Sequence, residues 1–249
     1  DFIKLTKQNP VAFEKMKLVF DYVKTNMKWN GYGGKYSSDG LKSAWNKKTG
    51  STGDINLILV NLLQSADLKA DPILVSERRV GSVNPEIPFV DQFNKVMAVV
   101  TIDEKKYYLD ATDHFTPPHI IPSSILNTHA LVVNRRSGGI QQISDNLLQY
   151  KDVVYITANI KEGKLVGKTA VTSSDYARVQ RLEDYNEDNK EYLDRYFKST
   201  IPNITIDSFE LKNQTNDSLP LKNEFQFSLP LSENGDYLFI PLNFFTGYA

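Results

Sequence analysis

Apolar residues recur at helical spacing first between Val11 and Met27, where Phe13, Met16, Val19, Phe20, Val23 and Met27 fall on one face behind Pro10. That spacing predicts an amphipathic helix. The glycines of "WNGYGGKYSSDG" then mark a loop. A short helix follows, with Asp39 as N-cap and Leu41, Ala44 and Trp45 facing inward. From about Ser51 to Ala66 the positions are apolar nearly all round, including Ile55, Leu57, Ile58, Leu59, Val60, Leu62 and Leu63. A helix without a polar face belongs in the centre of a fold.

The pattern then changes period. "DPILVSER", "KVMAVVTI" and "KKYYLDAT" read as strands, the last two joined by a tight turn at Asp103 and Glu104. "HALVV" is a further short strand, and "NRRSGG" reads as a linker or turn near residues 134 to 139. Beyond it, "DVVYITANIKEGKLVGKTAVTSS" forms a hairpin turning at Glu162 and Gly163. A polar helix is expected from about Glu187 to Lys198, with Tyr192, Leu193, Tyr196 and Phe197 as its apolar face. "ITIDSFELKN", "LKNEFQFSLPL" and "GDYLFIPLNFF" supply three more strands. The expected fold class is α+β: a domain over residues 1–138 with helices packed on an antiparallel sheet, then a smaller β-rich domain with one helix over 139–249.

Composition sharpens this by exclusion. With 41% hydrophobic and 24% charged residues, the 249-residue chain can bury a core, so disorder is not expected. A net charge of -1 with the signs interspersed gives no electrostatic case for nucleic acid. No apolar run approaches the roughly 20 residues needed to span a bilayer. The absence of cysteine removes disulfides, thiolate metal sites and thiol catalysis together. A start at Asp1, without Met or a signal peptide, reads as a mature or excised fragment.

Three short motifs carry a resemblance. "TGS" opens the central helix, "FNKV" enters one strand, and "YLDAT" closes the next. Their order, spread over roughly residues 10 to 133, resembles the transglutaminase-like (papain-type) core. In its catalytic members a cysteine begins the helix, a histidine lies on the first strand and an aspartate on the second. The wider pattern is similar to multi-domain envelope proteins of Gram-negative bacteria with a β-rich C-terminal domain. The resemblance implies a periplasmic or cell-envelope location. It places Ser51 at the cysteine position, Lys95 (or Asn94, if the alignment slips by one) at the histidine position, and Asp110 at the aspartate position.

The chemistry of that triad explains what the replacements change. A helix N-terminus favours thiolate, an imidazole shuttles its proton, and a carboxylate orients the imidazole. Here both cysteine and histidine are gone. If the hairpin turns at Asp103 and Glu104, Asp110 lies opposite Met97, and Lys95 is one diagonal step away on the same face. A partly exposed Lys95–Asp110 ion pair follows, of a kind that contributes up to about 1 kcal/mol. An aspartate beside Lys95 favours its charged form, which cannot act as a base. Ser51 accordingly reads as the N-cap of the central helix.

The remaining features change the picture less. His114 and His119 flank "FTPP" near Asp110 and Asp113 without an established ligand spacing, so no metal is expected and no cofactor is implied. "GKLVGKT" has one residue too few between its glycines for a phosphate-binding loop and lies in a hairpin. Sequons at Asn203, Asn213 and Asn216 carry little in a bacterial protein. Trp29, Tyr32, Tyr36 and Trp45 surround the glycine-rich loop beside the expected cleft and could receive a peptide or a glycan. The functional expectation is a catalytically inactive transglutaminase-like protein, acting as a binding or scaffolding module with a peptide, glycan or envelope-protein partner. The alternative is a hydrolase or acyltransferase with Ser51 as nucleophile and Lys95 or a folded-back His114 as base. A third reading makes both domains structural spacers.

Overall fold

The computed structural model describes residues 2–87, 89–145, 147–199, 201–240 and 244–245. It is an α+β protein of two compact units that divide between residues 146 and 147.

The first unit begins with helices α1 (Phe2–Lys7) and α2 (Ala12–Asn26), strand β1 (Lys28–Trp29), helix α3 (Leu41–Lys47) and strand β2 (Thr49–Gly50). The central helix α4 (Thr52–Ser65) follows, then strands β3 (Lys69–Val75), β4 (Lys95–Ile102), β5 (Lys105–Leu109), β6 (Thr128–Val132) and β7 (Gly139–Ile143). β1 and β2 pair in parallel. The others form one antiparallel sheet in the order β5-β4-β3-β6-β7.

α4 reads as apolar all round because it lies between the sheet and α2. Ile55, Leu59 and Leu63 pack with Met16, Val19 and Val23 of α2 and with Ala98 and Val100 of β4. The intervening residues Met97 and Val99 face a second cluster with Ile73, Val75, Ile125 and Ala130. The sheet is thus covered on both faces. This accounts for the continuous apolar run in "KVMAVVTI", where a half-exposed strand would alternate. The β4–β5 hairpin turns at Asp103 and Glu104, both at positive φ, in keeping with the sequence expectation.

Two expectations for this unit need correction. The cap of α3 is Gly40 at φ 80°, and Asp39 instead pairs with Lys47. The domain boundary lies eight residues later than the expected 138, because Gly139–Ile143 pairs with Thr128–Val132 as the edge of the first sheet. "NRRSGG" is the turn of that hairpin and joins no domains.

The second unit contains strands β8 (Tyr150–Lys161) and β9 (Lys164–Ser174), helix α5 (Asp175–Glu187), and strands β10 (Thr205–Lys212) and β11 (Leu221–Pro230). They form an antiparallel sheet in the order β10-β11-β9-β8, with the β8–β9 turn at Glu162 and Gly163 as expected. Strands β12 (Ser232–Asn234) and β13 (Tyr237–Phe239) make a small hairpin. The last expected strand, "GDYLFIPLNFF", runs partly onto residues 241–243, which lie outside the described residues. One sheet face is sealed by aromatic side chains, among them Tyr192, Phe197, Phe225, Phe227 and Phe245.

The helix of this unit also differs from expectation. It spans Asp175–Glu187, and of the expected Glu187–Lys198 helix only residues 192–198 are helical, wide over Asp194–Lys198, with Tyr192, Leu193, Tyr196 and Phe197 facing the core. Two arginines cause the misreading. Arg178 and Arg181 sit on the buried face of α5, beside Ala177, Val179 and Leu182, and disguise its apolar pattern.

Candidate functional site

The site is built where the start of α4 meets the ends of β4 and β5. Ser51 is the N-cap of α4 in the β region, and its Oγ accepts from the Asp54 amide at 3.2 Å. The Asp54 carboxylate reaches back to the Ser51 amide at 3.0 Å, completing a capping box. The Ser51 hydroxyl also donates to Asp54 Oδ2 at 2.7 Å. Both residues are buried, with Ser51 2% exposed. The expectation that Ser51 starts the helix therefore agrees with the geometry.

The segment over residues 32–38 is laid across this helix start. The Tyr32 carbonyl accepts from the Thr52 amide at 3.0 Å, and the Gly34 carbonyl accepts from the Val96 amide at 3.3 Å. Ser37 Oγ donates to Asp54 Oδ1, and Ser38 donates to the same carboxylate from its amide at 3.2 Å and its hydroxyl at 2.9 Å. A Cβ added at Gly53 would lie 2.0 Å from the Tyr36 carbonyl oxygen, so only glycine permits this approach. Lys35 ties the segment to the Val90 carbonyl at 3.0 Å and to Asp91 at 2.7 Å. Burial opposes the charge on Asp54, but its hydrogen bonds from Ser37, Ser51 and Ser38 outweigh this and hold its pKa down to about 2.

Lys95 and Asp110 form the ion pair that the hairpin register implied. The pair is more buried than expected, however: the side chains are 16% and 4% exposed. Part of that cover comes from α4, whose Asn56 donates to Asp110 Oδ1 at 2.9 Å and to the Val96 carbonyl at 3.0 Å. Asn56 Oδ1 accepts from the Ala111 amide at 2.8 Å. Thr112 adds its amide at 3.0 Å and its hydroxyl at 2.6 Å to Asp110 Oδ1. Burial pushes the Asp110 carboxyl up, but the Lys95 ammonium and these donors bring it below its ordinary value. Burial likewise disfavours charged Lys95, and Asp110, Glu77 and Asp113 together raise its pKa. Glu77 lies 3.7 Å from the ammonium and is itself held by Arg79 at 3.0 Å. Asn94, the alternative at the histidine position, donates from Nδ2 to the Glu77 carboxylate at 2.8 Å and accepts at Oδ1 from the Glu77 amide at 2.9 Å.

Sequence reasoning passed over three of these residues. Asp54 was legible, because Ser-x-x-Asp is a capping-box spacing. Asn56 was legible as the polar exception inside "DINLILVNLL". Thr52 emerges from geometry alone: it precedes Asn56 by one helical turn and so shares the face that meets Asp110. Ser51 is turned instead toward Asp54, whose carboxylate also takes the Ser37 and Ser38 hydroxyls.

The other candidates scatter. Trp29, Tyr32 and Tyr36 are exposed around the covering segment, with the Trp29 indole donating to the Tyr32 carbonyl at 3.0 Å. Trp45 leaves this group: it packs into the core beside Tyr22, with Lys48 over its ring. His114 is exposed in the turn after β5, where Asp113 caps the Phe115 and Thr116 amides. His119 lines a separate cavity of about 290 Å³ with Tyr108, Ile121 and Ser144. Among the described residues no group of three or more histidines and carboxylates could hold a metal ion, and no helix is long and apolar enough to cross a membrane.

No family model matches the chain, and no curated protein matches it. Among solved structures, one of a "putative protease" from Parabacteroides distasonis resembles it with a TM-score of 0.43 and 10% identity, over 91% of this chain and 47% of that one. The chain thus spans about half the length of that protein, and a likeness at this level carries no argument about fold or activity.

Proposed function

We propose that the first unit is a transglutaminase-like core that has exchanged catalysis for a structural helix start, and that the protein acts as a binding or scaffolding module of the bacterial envelope. The envelope location follows from the resemblance of its motifs. The observation that carries the reading is the state of the helix start. The Ser51 hydroxyl is buried and donates to Asp54, under a segment anchored on both sides. A serine nucleophile needs a neutral base in reach of its proton. Lys95 is held charged by Asp110, and His114 is exposed in a turn beyond β5. A hydrolase or acyltransferase built on Ser51 would therefore have to break the cap first.

What the surface offers instead is a group of exposed rings, Trp29, Tyr32 and Tyr36, on a segment fixed by hydrogen bonds. Exposed aromatic faces suit a peptide or a glycan, and a fixed backbone lowers the entropy lost on binding. Peptide and glycan pools from a Gram-negative envelope extract, passed over the immobilised protein, test the module. Retention by the unaltered protein and loss from the Trp29→Ala, Tyr32→Ala, Tyr36→Ala variant is expected. Equal retention by both, or none by either, would overturn the assignment of that surface.

A further inference from the structure

Among the described residues, three buried side-chain polar atoms have no hydrogen-bond partner in the chain: Ser173 Oγ, Arg181 Nη1 and Asn223 Nδ2. All three belong to the second unit, and their residues are at most 2% exposed. Such atoms are few in native proteins, and each calls for a cause. Their placement supplies one.

Ser173 on β9 lies directly opposite Asp152 on β8 and opposite Leu221 on β11. Asn223 lies opposite Val171, so Ser173 and Asn223 are diagonal neighbours on one sheet face. Arg181 comes down on this face from α5 and grips Asp152 at 2.7 Å through Nη2 and 3.3 Å through Nε. That two-point grip leaves Nη1 on the opposite edge of the guanidinium. The Tyr192 phenol donates to Asn223 Oδ1 at 2.8 Å, which turns the Asn223 amino group away from it. Ser173, Asn223 and the Arg181 head are thus placed together on the buried face of this sheet, beside its aromatic core.

We infer that this spot is a binding site for one buried water molecule. Its oxygen accepts from Arg181 Nη1 and Asn223 Nδ2, and one of its protons goes to Ser173 Oγ. Buried waters characteristically make about three such bonds to groups the fold leaves unsatisfied. The charges favour a neutral ligand. Arg181 is already matched by Asp152, so an anion would add a second negative charge beside that carboxylate, while a cation would face the guanidinium. Within the fold the water links α5 to β9 and β11, where a purely apolar filling would strand an arginine head.

The test is a crystal structure at a resolution that shows ordered solvent, with matched crystals grown in chloride and in bromide. One oxygen-sized peak within hydrogen-bond distance of all three atoms, without bromide anomalous signal, is expected. An anomalous peak there would replace the water by a halide and overturn the assignment. Side chains rotated so that the three atoms pair with protein groups, with no peak, would overturn the site itself. Magnetic relaxation dispersion of solvent water reads the same site in solution. Asn223→Leu is expected to lose one long-lived water while Lys168→Ala, at an exposed β9 position, loses none. Equal counts in the two variants would contradict the inference.

Discussion

Replacing Asp54 by asparagine would remove the charge around which the start of α4 is assembled. The carboxylate accepts from Ser51 at its amide and hydroxyl, from Ser38 at both, and from the Ser37 hydroxyl, and it is fully buried. Its pKa of about 2 lies below the ordinary 3.8. At about 1.4 kcal/mol per unit, that depression corresponds to about 2 kcal/mol of stability. Because the folded value is the lower one, the contribution is complete above about pH 4 and is lost as pH falls through about 2. Asp54→Asn is therefore expected to cost about 2 kcal/mol at pH 7, and the gap to the unaltered protein to narrow by about 1 kcal/mol at pH 3. Urea unfolding followed by tryptophan fluorescence reads this directly. Both tryptophans of the chain, Trp29 and Trp45, lie in the first unit, so the signal reports that unit alone. A gap that is absent at pH 7, or that keeps its size at pH 3, would refute the reasoning.

Lys95→Met leaves Asp110 buried without its counter-charge and is expected to destabilise the first unit by about 3–5 kcal/mol, more than half of it recovered in Lys95→Met, Asp110→Asn. A double-mutant cycle in the same urea assay checks this, and additive costs would contradict the buried pairing. The same pair should tolerate alkali well: Lys95 has its folded pKa raised, so its contribution is full below its unfolded value of 10.5 and lost only above the folded one. Fluorescence-monitored unfolding from pH 9 to 11 should show Lys95→Met losing less stability than the unaltered protein only at the top of that range. Gly53→Ala should push the Tyr36 carbonyl off the helix start and speed amide exchange at Thr52, whose amide the Tyr32 carbonyl now accepts. Hydrogen exchange by NMR reads it, and unchanged protection at Thr52 would show that the segment is not wedged there.

The parts of the fold that depend on local chemistry were legible in the sequence. The β4–β5 turn at Asp103 and Glu104 fixed the register, and with it the Lys95–Asp110 pairing. Ser51 as cap followed from residue type and from the apolar run behind it. The burial of that pair was not legible, because it depends on Asn56 reaching across from α4 to Asp110. Nor was the segment over the helix start, which needs Gly53 and the Ser37 and Ser38 hydroxyls to meet in space. In the second unit, buried arginines broke the apolar pattern of α5, and in the first the glutamines of β7 hid an edge strand just beyond the turn near residues 134 to 139.

Treatment with a fluorophosphonate probe tests the central claim most directly, applied to the unaltered chain and to its Ser51→Ala and Thr52→Val variants. With Ser51 locked to Asp54, Thr52 buried one turn from Asn56, and Lys95 held as an ammonium, no covalent labelling at either position is expected. Stoichiometric labelling that disappears in one of the two variants would show a working nucleophile at the start of α4 and contradict the account.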